Sequence, residues 1–284
     1  MKFFVGLSLT LCFCALTFGQ QNKADGSKDF PKLSADELIA KHIASIGTAA
    51  ALSAKHSRVL IGVGTFTSKI YSGKIGGPVQ FASDGDKILL ALVLNANDYP
   101  FDKIGYDGKN LTTATLPGGN HSPLDDFLRE NNAIVKKGIF AGALSQGWAL
   151  AKPDRDIRFE YGGLVKVNGD RLYKLKVSLP GAGDMIVSLF FDPETFRHVR
   201  TEYSYRVGQI TSPNPNRPST GLSAPSSYTL TEEFSNFAKV DDLVLPLRYN
   251  LEYASDAGKT LDWTINFSQA FNDQVLDAAV FKVS

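Results

Sequence analysis

The stretch VNGDRLYKLKVSLPGAGDMIVSLFFDPETFRHVRTEY, residues 167–203, decides the fold class. Apolar and polar residues alternate along it, and Asn168-Gly169 and Asp192-Pro193 interrupt the alternation. A period of two residues is typical of a β-strand with one face in water and one face covered. Asn-Gly and Asp-Pro favour tight turns between such strands. The stretch therefore predicts consecutive antiparallel strands.

The same alternation continues on both sides of this stretch, at residues 157–161, 199–206, 247–253 and 261–267. One strongly curved sheet would carry nine large apolar side chains on a single face. These candidates for an apolar ligand cavity are Phe159, Tyr161, Tyr173, Tyr203, Tyr205, Tyr249, Tyr253, Trp263 and Phe267. Two interpretations stay open: the side chains form a packed core alone, or a core beside a cavity.

Helical signals are confined to two short helices and a brief further piece that residues 49–55 can form. Ser34 and Glu37 form a capping box, and Gly47 ends the helix that follows. A second helix is predicted from Pro123 to Lys137, with Ser122 as its N-cap. Asp125 and Asp126 suit the positive end of that helix. A further apolar run, residues 88–94, predicts a strand covered on both faces.

The first residues of the chain resemble a secretory signal peptide. Lys2 is followed by the apolar run 3–18, and Gly19 precedes a polar stretch. We therefore expect a signal peptide at 1–19, a flexible tail at 20–33 and one domain at 34–284. That domain contains a Pro- and Ser-rich loop at 208–227. Both cysteines, Cys12 and Cys14, lie in the signal segment, so the mature chain would have no disulfide.

The charge balance argues against nucleic-acid binding. The chain has 30 Lys+Arg and 29 Asp+Glu. Without Lys2 the basic residues number 30 minus 1, or 29, and the formal net charge is zero. A neutral chain offers no electrostatic surface for a polyanion. Hydrophobic residues make up 43% of the chain, which is ordinary for a globular protein.

No motif in the sequence indicates catalysis or a cofactor. The histidines His42, His56, His121 and His198 form no metal-binding pair and are expected on the solvated surface, with His198 on the wet side of its strand. Neither a nucleophile elbow nor a phosphate-binding loop is present. We therefore expect no catalytic residue, metal or cofactor. A buried cluster of His, Asp or Glu would instead favour a hydrolase.

The order of these elements resembles the periplasmic LolA/LolB-like family of lipoprotein-sorting proteins. The resemblance is carried by ADELIAKHIASIG and SRVLIGVGTF, by the opening stretch above, and by VDDLVLPLRYNLEY and TLDWTINFSQAFND, and it covers most of residues 34–284. It implies a mainly β (α+β) fold: a single incomplete antiparallel β-barrel, or curved sheet, with helices covering its concave face. The arginine that latches the lid of the carriers has no counterpart that the sequence identifies.

The function implied by this resemblance is that of a non-enzymatic carrier. It would act in the periplasm, after secretion across the inner membrane, and bind a lipid or the acyl chain of a lipoprotein. Its expected partners are lipids or lipidated proteins, with envelope proteins as further candidates. The alternative is a cell-envelope interaction or sensor scaffold with a filled core. The sequence does not specify the ligand or the oligomeric state.

Overall fold

A twelve-stranded antiparallel sheet makes up most of the described chain. The computed structural model describes residues 29–68, 74–97, 99–152, 156–206, 227–256, 258 and 260–283. The predicted signal peptide, most of the predicted tail and all but residue 227 of the predicted loop lie outside these residues. Residues Lys32–Ser284 group into one unit by their contacts. None of the described helices is long and apolar enough to cross a membrane.

Strand and helix bounds follow the turn signals of the sequence. The strands are β1 Ser57–Ser68, β2 Lys74–Asp84, β3 Lys87–Val93, β4 Phe101–Tyr106, β5 Leu111–Thr113, β6 Arg158–Val167, β7 Asp170–Ser178, β8 Ile186–Phe191, β9 His198–Arg206, β10 Ser227–Val240, β11 Leu243–Ser255 and β12 Thr260–Asn272. The helices are α1 Ala35–Ile46, α2 Ala49–Ala54, α3 Pro123–Glu130 and α4 Ala133–Lys136, with short 3-10 turns at Gly142–Leu144, Ala149–Ala151 and Ala278–Phe281.

The strand order places the first strand beside the last. It runs β5-β4-β3-β2-β1-β12-β11-β10-β9-β8-β7-β6, and every pairing is antiparallel. The edge strands β5 and β6 flank residues 114–152, which carry α3, α4 and two 3-10 turns. We call these residues the cover. The sheet is not closed into a barrel, so the predicted open antiparallel sheet is confirmed.

One hydrogen bond shows how strongly the sheet curves. Trp263 Nε1 on β12 donates to Asp102 Oδ2 on β4 over 2.7 Å, although four strand steps separate these strands. In a flat sheet four steps would span about 19 Å, which is beyond the reach of two side chains. The inner faces of β4 and β12 must therefore turn toward each other.

The helices start where the sequence predicts, but the second one is shorter than expected. Ser34 and Glu37 form the predicted capping box, and the Ser122 side chain accepts from the Asp125 N–H at the start of α3. The predicted single helix from Pro123 to Lys137 is wrong, because α3 ends at Glu130 and α4 starts at Ala133. The Asn131 side chain donates to the Phe127 carbonyl and ends α3 locally.

The outer face near β3 is covered by the C-terminal segment. Phe281 is fully buried against Val59, Ala82 and Leu89. Leu89 therefore has a covered outer face while its neighbours Ile88 and Leu90 are buried on the inner face. The prediction of a strand covered on both faces over residues 88–94 is thus confirmed around Leu89 only, because β3 ends at Val93 and Val93 is 40% exposed.

Candidate functional site

The nine predicted cavity residues fall into two groups by burial. Five are buried, namely Tyr173, Tyr203, Tyr249, Trp263 and Phe267. Four are half-buried, namely Phe159, Tyr161, Tyr205 and Tyr253. One row of the inner face runs across β6–β11 and consists of Phe159, Val177, Val187, Tyr203, Leu230 and Tyr253. Its four middle residues are buried, whereas Phe159 and Tyr253 at its two ends are half-buried. The inner face is thus densely packed in its middle and more accessible at both ends of this row.

We call the accessible part at β9–β11 the open aromatic end, and it comprises Tyr205, Tyr228 and Tyr253. All three are half-buried. Tyr228 pairs with Tyr205 across β9 and β10 and stacks on Tyr253 with ring centroids 5.9 Å apart. The buried Phe127 of the cover meets Tyr253 edge-on at 5.7 Å. The cover therefore reaches this end without sealing it.

A buried glutamate joins the cover to the sheet. Glu232 on β10 is 0% exposed and accepts hydrogen bonds from Tyr203 Oη at 2.5 Å and Tyr249 Oη at 2.6 Å. It also accepts one from the backbone N–H of Ala141 in the cover, at 2.8 Å. Ala141 has a φ of 67°, which costs an alanine about 1 kcal/mol. Tyr203 and Tyr249, two of the nine predicted cavity residues, thus bind Glu232 through their hydroxyl groups.

A second buried carboxyl lies under α3. Asp102 accepts from Trp263 Nε1 and from the Tyr99 hydroxyl. Asp125 on α3 is also buried, and its Oδ1 makes no hydrogen bond within the described residues. Burial, with the nearby Asp102 charge, raises the pKa of Asp125 to about 8. The prediction of Asp125 as a helix-start residue is correct in position, but its side chain belongs to the core.

Two histidines predicted on the surface are buried, which corrects the sequence expectation. His42 on α1 is 1% exposed and His198 is 2% exposed. A register shift between Phe190 and Phe191 disrupts the alternation of β9, and His198 packs inward against Phe234 at 4.7 Å. His42 Nε2 accepts from Trp148 Nε1 at 2.9 Å.

These histidines are neutral core residues. The carbonyl of Phe196 can only accept, so His42 Nδ1, 3.1 Å away, carries the proton. Burial lowers the pKa of His42 to about 4 and that of His198 well below its ordinary value. The Thr201 hydroxyl lies 3.0 Å from His198 Nε2, yet Thr201 is itself fully buried. A substrate would have to displace the core to reach this pair.

Arg58 is a functional candidate that the sequence did not reveal. Its side chain on β1 is 2% exposed, and Nη1 donates to the Ala143 and Leu144 carbonyls of the cover at 2.7 and 3.0 Å. Arg58 therefore holds the cover from the β1 side, as Glu232 does from the β10 side. The alternation along β1 could have revealed its burial, because Leu60 and Phe66, which also stand at even-numbered positions, are buried as well.

Stability should fall as the pH rises from 6.5 to 8.5. Burial raises the pKa of Glu232 to about 7 and that of Asp125 to about 8. A carboxyl with a raised pKa keeps its proton in the folded state, so its stabilisation is full at low pH and is lost as pH passes the folded pKa. His42 and His198 act in the opposite direction, but only below their ordinary pKa of about 6.5. The expected loss, measured by urea unfolding, is of the order of 2 kcal/mol.

A matched pair on α3 tests this assignment. Asp125→Asn should remove much of the fall in unfolding free energy, because the titrating group is gone. Asp126→Asn, at the exposed neighbouring position, should keep most of the fall, because it removes only the smallest of the causes that raise the pKa of Asp125. Identical profiles for both variants would contradict the role of Asp125.

Comparison with known proteins finds similarity among solved structures. No protein-family model and no curated protein matches the sequence. Among solved structures, a LolA superfamily protein from Nitrosomonas europaea is 13% identical, with 89% of this chain and 99% of that chain covered and a TM-score of 0.44. A domain described as an outer membrane lipoprotein-sorting protein, from Vibrio parahaemolyticus, is 12% identical (87% and 95% covered, TM-score 0.46).

A third similar structure is a DUF1329 family protein from Desulfovibrio piger. It is 11% identical, with 87% of this chain and 97% of that chain covered and a TM-score of 0.49. Structures of LolA superfamily and lipoprotein-sorting proteins are thus among those that this chain is similar to, as the sequence predicted. At this identity, and below a TM-score of 0.5, the likeness carries no information about a shared ligand.

Proposed function

We propose that this chain is a non-enzymatic binding and carrier protein for a hydrophobic ligand, either a lipid or the acyl chain of a lipoprotein. The observation that carries the proposal is the open aromatic end, where three half-buried aromatic side chains continue the buried rows of the inner face. An apolar guest that covers them gains about 25 cal/mol for each Å² removed from water. The tyrosine hydroxyls can orient a polar group of the guest.

The place of action proposed for this carrier is the periplasm. The proposal rests on the signal-peptide pattern of residues 1–19. Lipids and lipidated proteins are then the natural partners, because an acyl chain in water needs an apolar binding surface.

Dye binding tests the open aromatic end directly. The parent protein should bind a neutral apolar dye such as N-phenylnaphthylamine, and long-chain fatty acids should displace it. Tyr253→Ala should weaken dye binding about tenfold, because losing ~50 Å² of apolar contact at about 25 cal/mol per Å² costs about 1.3 kcal/mol. The measurement is a fluorescence titration.

The control is Phe271→Ala on β12, which removes an aromatic side chain that is 44% exposed and paired with Val59 at the other end of the sheet. It should leave the dye affinity unchanged. A parent protein that binds no dye would refute the carrier function, and equal weakening by both variants would refute the site.

The filled middle of the inner face favours one alternative, a cell-envelope interaction or sensor scaffold. Glu232, Asp102 and His42 are each buried and hydrogen-bonded to neighbouring core groups. Such networks specify one rigid arrangement of the core. A scaffold of this kind would bind no apolar dye, so the same titration separates the two functions.

A further inference from the structure

A separate pocket lies between the first two helices and the cover. It has a volume of about 420 Å³, which falls in the range of small-molecule sites. Apolar walls come from Ile43 and Ile46 of α1, Leu52 of α2 and Trp148 of the cover. The pocket is open enough to admit a ligand, and its walls favour one with an apolar body.

Arg58 forms part of the wall of this pocket and brings a buried positive charge. Its Nε donates to Asn272 Oδ1 at 3.3 Å, and its Nη1 donates to two carbonyls of the cover. Within the described residues, Nη2 has no hydrogen-bond acceptor and no carboxylate forms an ion pair with Arg58. Two N–H donors of a buried cation are thus available.

No aspartate or glutamate is among the described residues that line the pocket. The two lysines in the lining differ from Arg58, because each already has a carboxylate partner. Lys55 pairs with Asp273 at 2.8 Å, and Lys152 pairs with Asp86 at 2.9 Å. The uncompensated charge of the pocket is therefore that of Arg58.

We propose that this pocket binds a single-chain amphiphile with an anionic head, whose carboxylate pairs with Arg58 while its chain lies along Ile43, Ile46, Leu52 and Trp148. A buried cation without a counter-ion is unfavourable, and an anionic ligand supplies the missing charge. A carboxylate oxygen of the ligand can accept a charge-assisted hydrogen bond from the free Nη2 of Arg58. The apolar walls select an amphiphile over a free inorganic anion.

This pocket is distinct from the open aromatic end. Tyr253 pairs with Leu261, which pairs with Ser68 on β1, whereas Arg58 stands ten residues earlier on the same strand. At about 3.3 Å per residue, the two positions lie ~33 Å apart along β1. The proposal therefore stands independently of the carrier function above.

Calorimetric titration with decanoate and decanol, two ligands of equal chain length, tests the charge requirement. The parent protein should bind decanoate at least tenfold more tightly than decanol. Arg58→Gln should abolish that difference, because the amide can still donate to a carbonyl but has no charge. Inorganic phosphate should not compete with decanoate. Competition by phosphate at a similar concentration would indicate a site for free anions and would overturn the proposal of an amphiphile as the ligand.

A second pair of variants keeps the test decisive if Arg58→Gln fails to fold. Leu52 is half-buried on α2, a helix with no buried residue. Leu52→Glu places a competing carboxylate beside Arg58 and should abolish decanoate binding, whereas Leu52→Gln should retain the preference for decanoate. Tyr253→Ala should also retain it, which separates this pocket from the open aromatic end. A preference for decanoate that survives Leu52→Glu, or equal binding of both ligands by the parent, overturns the proposal.

Discussion

Replacing Glu232 by alanine should lower the free energy of unfolding by about 3–5 kcal/mol, because several buried donors lose their acceptor at once. The Tyr203 and Tyr249 hydroxyls and the Ala141 N–H would lose their common acceptor in a fully buried environment. Each unsatisfied buried donor costs about 1–3 kcal/mol. Ala141 would in addition keep a strained φ without the hydrogen bond that accompanies it. Urea unfolding followed by circular dichroism measures the change.

The matched control is Glu233→Ala, one residue along β10. Glu233 is half-buried on the opposite face and pairs with Arg200. Loss of such a partly exposed ion pair should change the unfolding free energy by at most about 1 kcal/mol. If the two alanine variants are equally stable, Glu232 does not hold the cover to the sheet.

The sequence was most informative where structure depends on neighbouring residues. Asn168 and Gly169 both have positive φ values in the turn between β6 and β7, and this turn was predicted from the dipeptide alone. Asp192 Oδ1 accepts from the N–H groups of Glu194 and Thr195 in the next predicted turn. Such local hydrogen bonds need no information from distant parts of the chain.

The buried polar groups could not be predicted in this way, because their partners lie far away in the sequence. Glu232 binds the N–H of Ala141, and His42 binds Trp148 and Phe196. Each polar residue looks solvent-exposed until the fold supplies its partner, since a buried charge is unfavourable without one. The inward position of His198 depends on a register shift between two strands, which simple alternation cannot reveal.

Trp263→Ala should also lower the free energy of unfolding by about 3–5 kcal/mol. Trp263 is 1% exposed, its ring lies 5.3 Å from that of Phe66, and its Nε1 donates to Asp102. Truncation would leave a cavity at the place where β12 approaches β4, and Asp102 would lose one of its donors. Loss of the hydrogen bond to Asp102 adds to this cost, because the bond joins strands four steps apart in the sheet.

Trp263→Phe separates the two contributions. Phenylalanine keeps most of the ring packing but cannot donate to Asp102, so its cost should be about 1–3 kcal/mol, the penalty of one lost buried hydrogen bond. Thr264→Ala, at the next residue on the opposite face of β12, should stay within about 0.5 kcal/mol of the parent. If Trp263→Phe is as stable as the parent, the bond to Asp102 contributes nothing, and the curvature of the sheet must be maintained by ring packing and the cover alone.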